Sequence, residues 1–287
     1  MLEGDESSNI EDRRGMGGRS VALGGGGIGV LVLSLIIYLC GGSDALNFFN
    51  QVTGNGDATQ VTQPQQQQPQ NQGSQKNDPE KKFISSVLKS TEDIWAAQFQ
   101  KIGKRYADPK LVLFTGQTAS ACGRAEAAVG PFYCPGDEKL YLDFAFFDEL
   151  QSEFHAPGDF AQAYVVAHEV GHHVQNQLGT MDKVTALQQR TNETQSNQLS
   201  VMLELQADCY AGVWAHDAQQ QGKLEVGDVQ EALRAASAVG DDSIQKSQQG
   251  YVVPDSFTHG SSQQRMSWFT RGFQTGDMRQ CNTFGGR

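Results

Sequence analysis

Positive charge is scarce in this chain. Its 287 residues carry 22 Lys and Arg against 33 Asp and Glu, a formal charge of -11. An electrostatic nucleic-acid binder needs clustered positive charge to hold phosphates, so that role is excluded. Long apolar runs are scarce as well. A hydrophobic fraction of 38% and a mean hydropathy of -0.47 exclude a multispanning membrane protein but leave room for one span. The 5 cysteines contain no C-x-x-C pair, which removes the usual basis for a thiolate zinc site. No internal repeat is evident, and the length is well beyond a disulfide-stapled miniprotein.

The one long apolar run is VALGGGGIGVLVLSLIIYLC at residues 21–40. At 1.5 Å per residue it covers a hydrocarbon core of roughly 30 Å, so a single transmembrane helix is expected over 21–41. A cleaved signal peptide would end in a small-x-small site, which YLCGG lacks, and Leu39 before Cys40 disfavours lipidation there. Arg13, Arg14 and Arg19 precede the run, and no Lys or Arg follows it until Lys76. The positive-inside rule then puts residues 1–20 in the cytoplasm as a tail and the rest of the chain outside the bacterial inner membrane, periplasmic or extracellular. Residues 42–80, containing VTQPQQQQPQNQGSQKNDPE, are too polar to offset ordering entropy and read as a Gln/Pro-rich tether.

Residues 81–287 form the working domain. Phe83, Val87, Ile94, Trp95, Phe99 and Ile102 recur at helical spacing. Short strands are expected at LVLFTG (111–116) and KLYLDFAF (139–146), and helices at 146–153, 159–178, 195–219, 227–238 and 261–273. Outside the run, Cys122, Cys134, Cys209 and Cys281 permit three pairings. An oxidising compartment favours disulfides. Cys122 with Cys134 closes the shortest loop, leaving Cys209 for Cys281.

The chemistry concentrates in HEVGH at 168–172, inside the apolar helical run AQAYVVAHEVGHHVQNQL. His168 and His172 lie one turn apart on one face and can hold one zinc ion. Glu169 sits about 100° further round, where it can take a proton from water at the metal as that water attacks a carbonyl. Downstream, LELQADCYAGVWAH places Glu204 and Asp208 on one helix face. Glu204 is then the third ligand, and Asp208 accepts a hydrogen bond from a ligating histidine. His173 points away from the pair and reads as a packing or surface residue, His216 lies too far from Glu204 to ligate, and His155 falls in a turn.

HEVGH followed by E-x-x-x-D resembles the gluzincin type of metallopeptidase. The basic N-terminus, single apolar run, Gln-rich spacer and ELQADCYAGVWAH together are similar to the bacterial family described as putative neutral zinc metallopeptidases. The resemblance covers nearly all 287 residues, most specifically 164–216. It implies His168, His172 and Glu204 as ligands and Glu169 as the catalytic base. THGSSQQRMSWF also resembles the His-and-Arg segment that follows the zinc motifs in some membrane-associated gluzincins, with Gly260 where Pro is common there. His259, Tyr251 and Arg265 are therefore candidates to stabilise the developing oxyanion, with His259 taken as the catalytic one.

These readings converge on an α+β, zincin-like domain, mostly helical with a small sheet, after one N-terminal transmembrane helix. It would bind one zinc ion and cut a peptide or protein substrate held along KLYLDFAF as a sheet edge. The alternative is a zinc-stabilised envelope scaffold without turnover. Oligomeric state and substrate sequence are not encoded in any motif.

Overall fold

The computed structural model describes residues 4–15, 78–127 and 130–285. The expected span 21–41 and all but the last three residues of the 42–80 tether lie outside the described residues. Among the described residues no helix is long and apolar enough to cross a membrane.

The domain opens with helix α1 (Pro79–Lys101). Pro79 needs no backbone partner at the first helical position, and the Asp78 side chain accepts from the Lys81 N–H, so the start is fixed locally. Five short strands follow: β2 (Lys110–Phe114), β3 (Gln117–Ser120), β4 (Gly123–Glu126), β5 (Phe132–Cys134) and β6 (Lys139–Asp143). Helices then take over: α2 (Ala145–Ser152), α3 (Asp159–Gln177), α4 (Thr180–Gln188), α5 (Glu193–Gln220), α6 (Asp228–Ala238), α7 (Asp241–Gln249) and α8 (Ser262–Thr275). The fold is mixed α+β, mostly helical with small sheets.

Four strands make one sheet in the order β1-β2-β6-β5, where β1 is Ile10–Asp12. β1, β2 and β6 run parallel, and β5 is antiparallel to β6. β3 and β4 form a separate antiparallel hairpin. This corrects two expectations. KLYLDFAF is not a sheet edge, because β6 is flanked by β2 and β5; the edges are β1 and β5. Residues 4–15 do not form a tail apart from the domain, because Leu111 N–H donates to Asn9 O at 2.9 Å and Arg13 N–H to Leu113 O at 2.8 Å.

Helices α1, α3 and α5 share the core. Trp214 of α5 stacks on Phe160 of α3, centroids 5.5 Å apart, and donates from Nε1 to Ser90 Oγ of α1 at 3.2 Å. Trp95 of α1 meets Tyr210 of α5 edge-to-face at 5.3 Å. Glycines let the backbones close. A Cβ on Gly171 would stand 3.0 Å from Ala207 O, and one on Gly272 would stand 1.9 Å from Cys209 O. α5 is thereby pressed between α3 and α8. The expected Cys122–Cys134 disulfide is present and ties the β3–β4 turn to β5, and a second, Cys209–Cys281, ties the C-terminal segment to α5.

Candidate metal centre

Close contact between α3 and α5 brings His168, His172 and Glu204 together. All three are buried, and their ligand atoms lie within 4.8 Å of one another. His168 Nε2 is 3.1 Å from Glu204 Oε2, and His172 Nε2 is 3.4 Å from Glu204 Oε1. Two ligands about 2.1 Å from a tetrahedral zinc ion are themselves about 3.4 Å apart. The donor set of two imidazoles and one carboxylate therefore fits zinc in type and spacing.

The far side of each imidazole is equally organised. His168 Nδ1–H donates to Asp208 Oδ1 at 2.9 Å, as the E-x-x-x-D spacing predicts. His172 Nδ1–H donates to Gln175 Oε1 at 2.9 Å, and Gln175 in turn donates to Leu203 O at 2.7 Å and to Gln206 Oε1 at 3.2 Å. Each bond commits the Nδ1 proton outward and turns Nε2 toward Glu204. Gln175 escaped the sequence reading because glutamine carries no metal-site signature. Its signal is position only, one turn beyond His172 on the same helix.

Asp208 has no solvent exposure and also receives Arg265, which donates from Nε to Oδ2 at 2.8 Å and from Nη2 to Oδ1 at 3.0 Å. Tyr164 OH donates to the same Oδ1 and accepts from Arg265 Nη2 at 3.2 Å. Burial would raise the Asp208 carboxyl, but Arg265 and His168 outweigh it and hold it below its ordinary value. Burial would lower His168; Asp208 and Glu204 instead raise it to about 9, the behaviour of a site that attracts positive charge. Arg265 is thus committed to Asp208 rather than free to meet an oxyanion, and Tyr251 is 62% exposed and does not line the cleft.

A cavity of about 210 Å³ opens over this cluster. Glu169 faces it, partly exposed, and burial pushes its carboxyl above the ordinary value while the two histidines pull the other way. His259 also lines it. The His259 ring stands 3.2 Å from Asp241 Oδ1 through Nδ1, and Asp241 Oδ2 accepts the backbone N–H groups of Thr258, His259 and Gly260 at 2.7–2.9 Å. Burial would lower His259, but the Asp241 bond and the Glu204 charge raise it. Asp241 was not legible from its own surroundings, since it acts from 18 residues away. The remaining lining is largely apolar, from Phe132, Phe146, Phe154, Met181, Leu203 and Ile244.

Other histidines fall where the sequence put them. His173 is buried and packs between strand and loop, its Nε2–H donating to Ala107 O at 2.7 Å and its Nδ1 3.0 Å from Tyr133 OH. His216 donates to Phe273 O at 2.7 Å, away from the cluster.

The profile of a family described as "Putative neutral zinc metallopeptidase" matches residues 2–284. The chain is 50% identical over 287 residues to the uncharacterized protein YpfJ of Escherichia coli, covering 98% of this chain and 96% of the relative. Uncharacterized proteins of Mycobacterium bovis and Mycobacterium tuberculosis are 43% identical over 214 residues, 71% of each chain. No solved structure matches.

Proposed function

Since this chain belongs to the putative neutral zinc metallopeptidase family, we propose that it is a zinc-dependent endopeptidase of zincin-like architecture. The observation that carries this is the pairing of a three-donor cluster with a carboxylate that is not among the donors. His168, His172 and Glu204 converge, while Glu169 faces the cavity beside them. A structural zinc site is closed by four protein ligands, whereas a catalytic one keeps a position open.

Zinc held by these three residues would supply the Lewis acidity that activates water and polarises a scissile carbonyl. The chain supplies the rest. Glu169, its proton affinity raised by burial, accepts the proton of the attacking water and delivers it to the leaving amine. His259, held by Asp241, donates toward the carbonyl oxygen as charge develops there. Asp208 and Gln175 keep both liganding rings in one tautomer. Strand β5 lies at the sheet edge, with Phe132 and Tyr133 lining the cleft, and offers backbone groups to an extended peptide. The apolar lining favours a bulky apolar side chain next to the cut bond. Two disulfides support a location outside the cytoplasm.

Glu169→Gln tests this reading. It preserves volume and the zinc donors but removes the proton acceptor, so zinc content and thermal unfolding should match wild type while peptide cleavage falls about 10² to 10⁴-fold. Equal cleavage by both proteins would remove Glu169 as the base. Absence of cleavage by zinc-loaded wild type across a broad peptide panel would favour the scaffold instead.

A further inference from the structure

Arg13 and Arg14 are two of the three positive charges that, counted as a membrane flank, place the N-terminus opposite the domain. In the structure neither is a free flank charge. Arg14 pairs with Asp12 at 2.7 Å and with Asp78, the cap of α1, at 2.7 Å, and its guanidinium lies 4.8 Å from the Phe144 ring. Arg13 donates to Thr118 Oγ1 at 3.0 Å and Ala119 O at 2.9 Å in the β3 strand. Asp12 also receives Lys81 at 2.9 Å, and Glu11 receives Lys139 at 2.8 Å.

Backbone and burial agree with the charges. β1 adds to β2 in register, Ile10 beside Leu111 through Asp12 beside Leu113. Ser7 is buried, its N–H donating to Ser85 O at 3.1 Å and its carbonyl accepting from Ser85 Oγ at 3.0 Å. Buried Glu92 accepts from Ser7 Oγ at 2.5 Å and from Asn9 Nδ2 at 2.8 Å. Ile10 packs on the main core. A stretch that is polar in sequence is thus specified position by position for one groove of this domain. The family profile likewise begins at residue 2 rather than at the start of α1.

We infer that residues 4–15 are a built-in strand of the peptidase domain, so that the N-terminus and residues 78–285 lie in the same compartment. The geometry is decisive. Arg14 Nη1 and Asp78 Oδ2 are 2.7 Å apart, whereas one crossing between them would separate them by a hydrocarbon layer of roughly 30 Å. Adjacent strands must also lie within about 4.9 Å. Gly15 and Asp78 stand on the same side of any bilayer entered by the chain between them, because the segments they end are bonded to each other. Arg13 and Arg14 do not count as free flank charges here, because Arg13 pairs with Glu11 and donates to Thr118 and Ala119, while Arg14 pairs with Asp12 and Asp78. The inference stands apart from catalysis and survives if the peptidase reading fails.

The test uses the full-length chain in intact bacteria, in a Cys40→Ser background where the remaining cysteines are the disulfide-bonded ones. Asp5→Cys and Gln220→Cys place single thiols at exposed positions of the N-terminal segment and the end of α5. Each is treated with a membrane-impermeant maleimide before and after permeabilisation. The ratio of labelling in intact to permeabilised cells should be the same at both positions, whether near one or near zero. A ratio near one at Gln220 with one near zero at Asp5 would overturn the inference and restore the single crossing.

Discussion

On the proposed reading, two residues that no motif announces, Gln175 and Asp241, divide between metal holding and turnover. Gln175 orients His172 alone, so Gln175→Ala should weaken zinc affinity about 10 to 100-fold, measured by chelator competition. Asp241→Ala should leave that affinity unchanged and lower turnover, because it frees the 258–260 backbone and the His259 ring without touching a liganding residue. If both variants lost zinc equally, Asp241 would belong to metal holding. Asp208 is a poorer probe, since its removal also strands the buried Arg265 charge, a defect worth about 3–5 kcal/mol by itself. His168, Glu169, His172, Glu204 and Asp208 were legible because helical spacing fixes which side chains share a face. Gln175 and Asp241 were not, because a hydrogen-bond acceptor in sequence is indistinguishable from any other.

Between elements, the crossing of α5 and α8 decides whether Arg265 reaches Asp208. Gly212 and Gly272 face each other's helices; a Cβ on Gly212 would stand 2.1 Å from Phe269 O. Gly→Ala within a helix ordinarily gains about 0.5–1 kcal/mol. Here the added methyl meets backbone that cannot rotate aside, and overpacking of this kind costs about 1–3 kcal/mol or more. The clash wins, so Gly272→Ala should lower the unfolding midpoint by several degrees, read by calorimetry on the zinc-free protein; a raised midpoint would contradict the close crossing. The same scale shows what the sequence left obscure. α1, α2, α3, α5, α6 and α8 announce themselves through apolar periodicity, and α8 also begins at a Ser261–Gln264 capping box. β1 and β5 are three residues each, too short to display a period, and α7 (DDSIQKSQQ) is too polar to look buried on any face. Mistaking β6 for the sheet edge followed directly from missing β5.

At the scale of the whole molecule, docking of the N-terminal segment should depend on acid. Asp12 is held well below its ordinary value chiefly by the Arg14 hydrogen bond, against a desolvation cost, with Lys81 adding to it. Asp78 is also lowered, its burial outweighed by the Lys81 backbone N–H and Arg14, while the facing Asp12 charge opposes. A carboxyl whose folded pKa lies below its unfolded value near 3.9 contributes its full stabilisation above that value. The contribution is lost as pH falls through the folded pKa. Hydrogen exchange at residues 7–13 should therefore quicken as pH drops from about 5 toward 3, after correction for intrinsic exchange and before the helical core opens. Asp12→Asn should quicken it already at neutral pH. Exchange that tracks global unfolding at every pH would instead make β1 inseparable from the core.

Local chemistry was enough to determine most of the site and half of the architecture. Side chains three or four apart on a helix must share a face, whatever the rest of the chain does. Only the tertiary structure decided which elements meet: that β5 rather than β6 borders the cleft, that Gln175 and Asp241 stand behind the histidines, and that Arg13 and Arg14 face carboxylates and carbonyls of the domain. Those facts depend on contacts between residues far apart in sequence, 106 positions in the case of Arg13 and Ala119. Such contacts are selected by the fit of whole surfaces, and no local window of sequence records that fit.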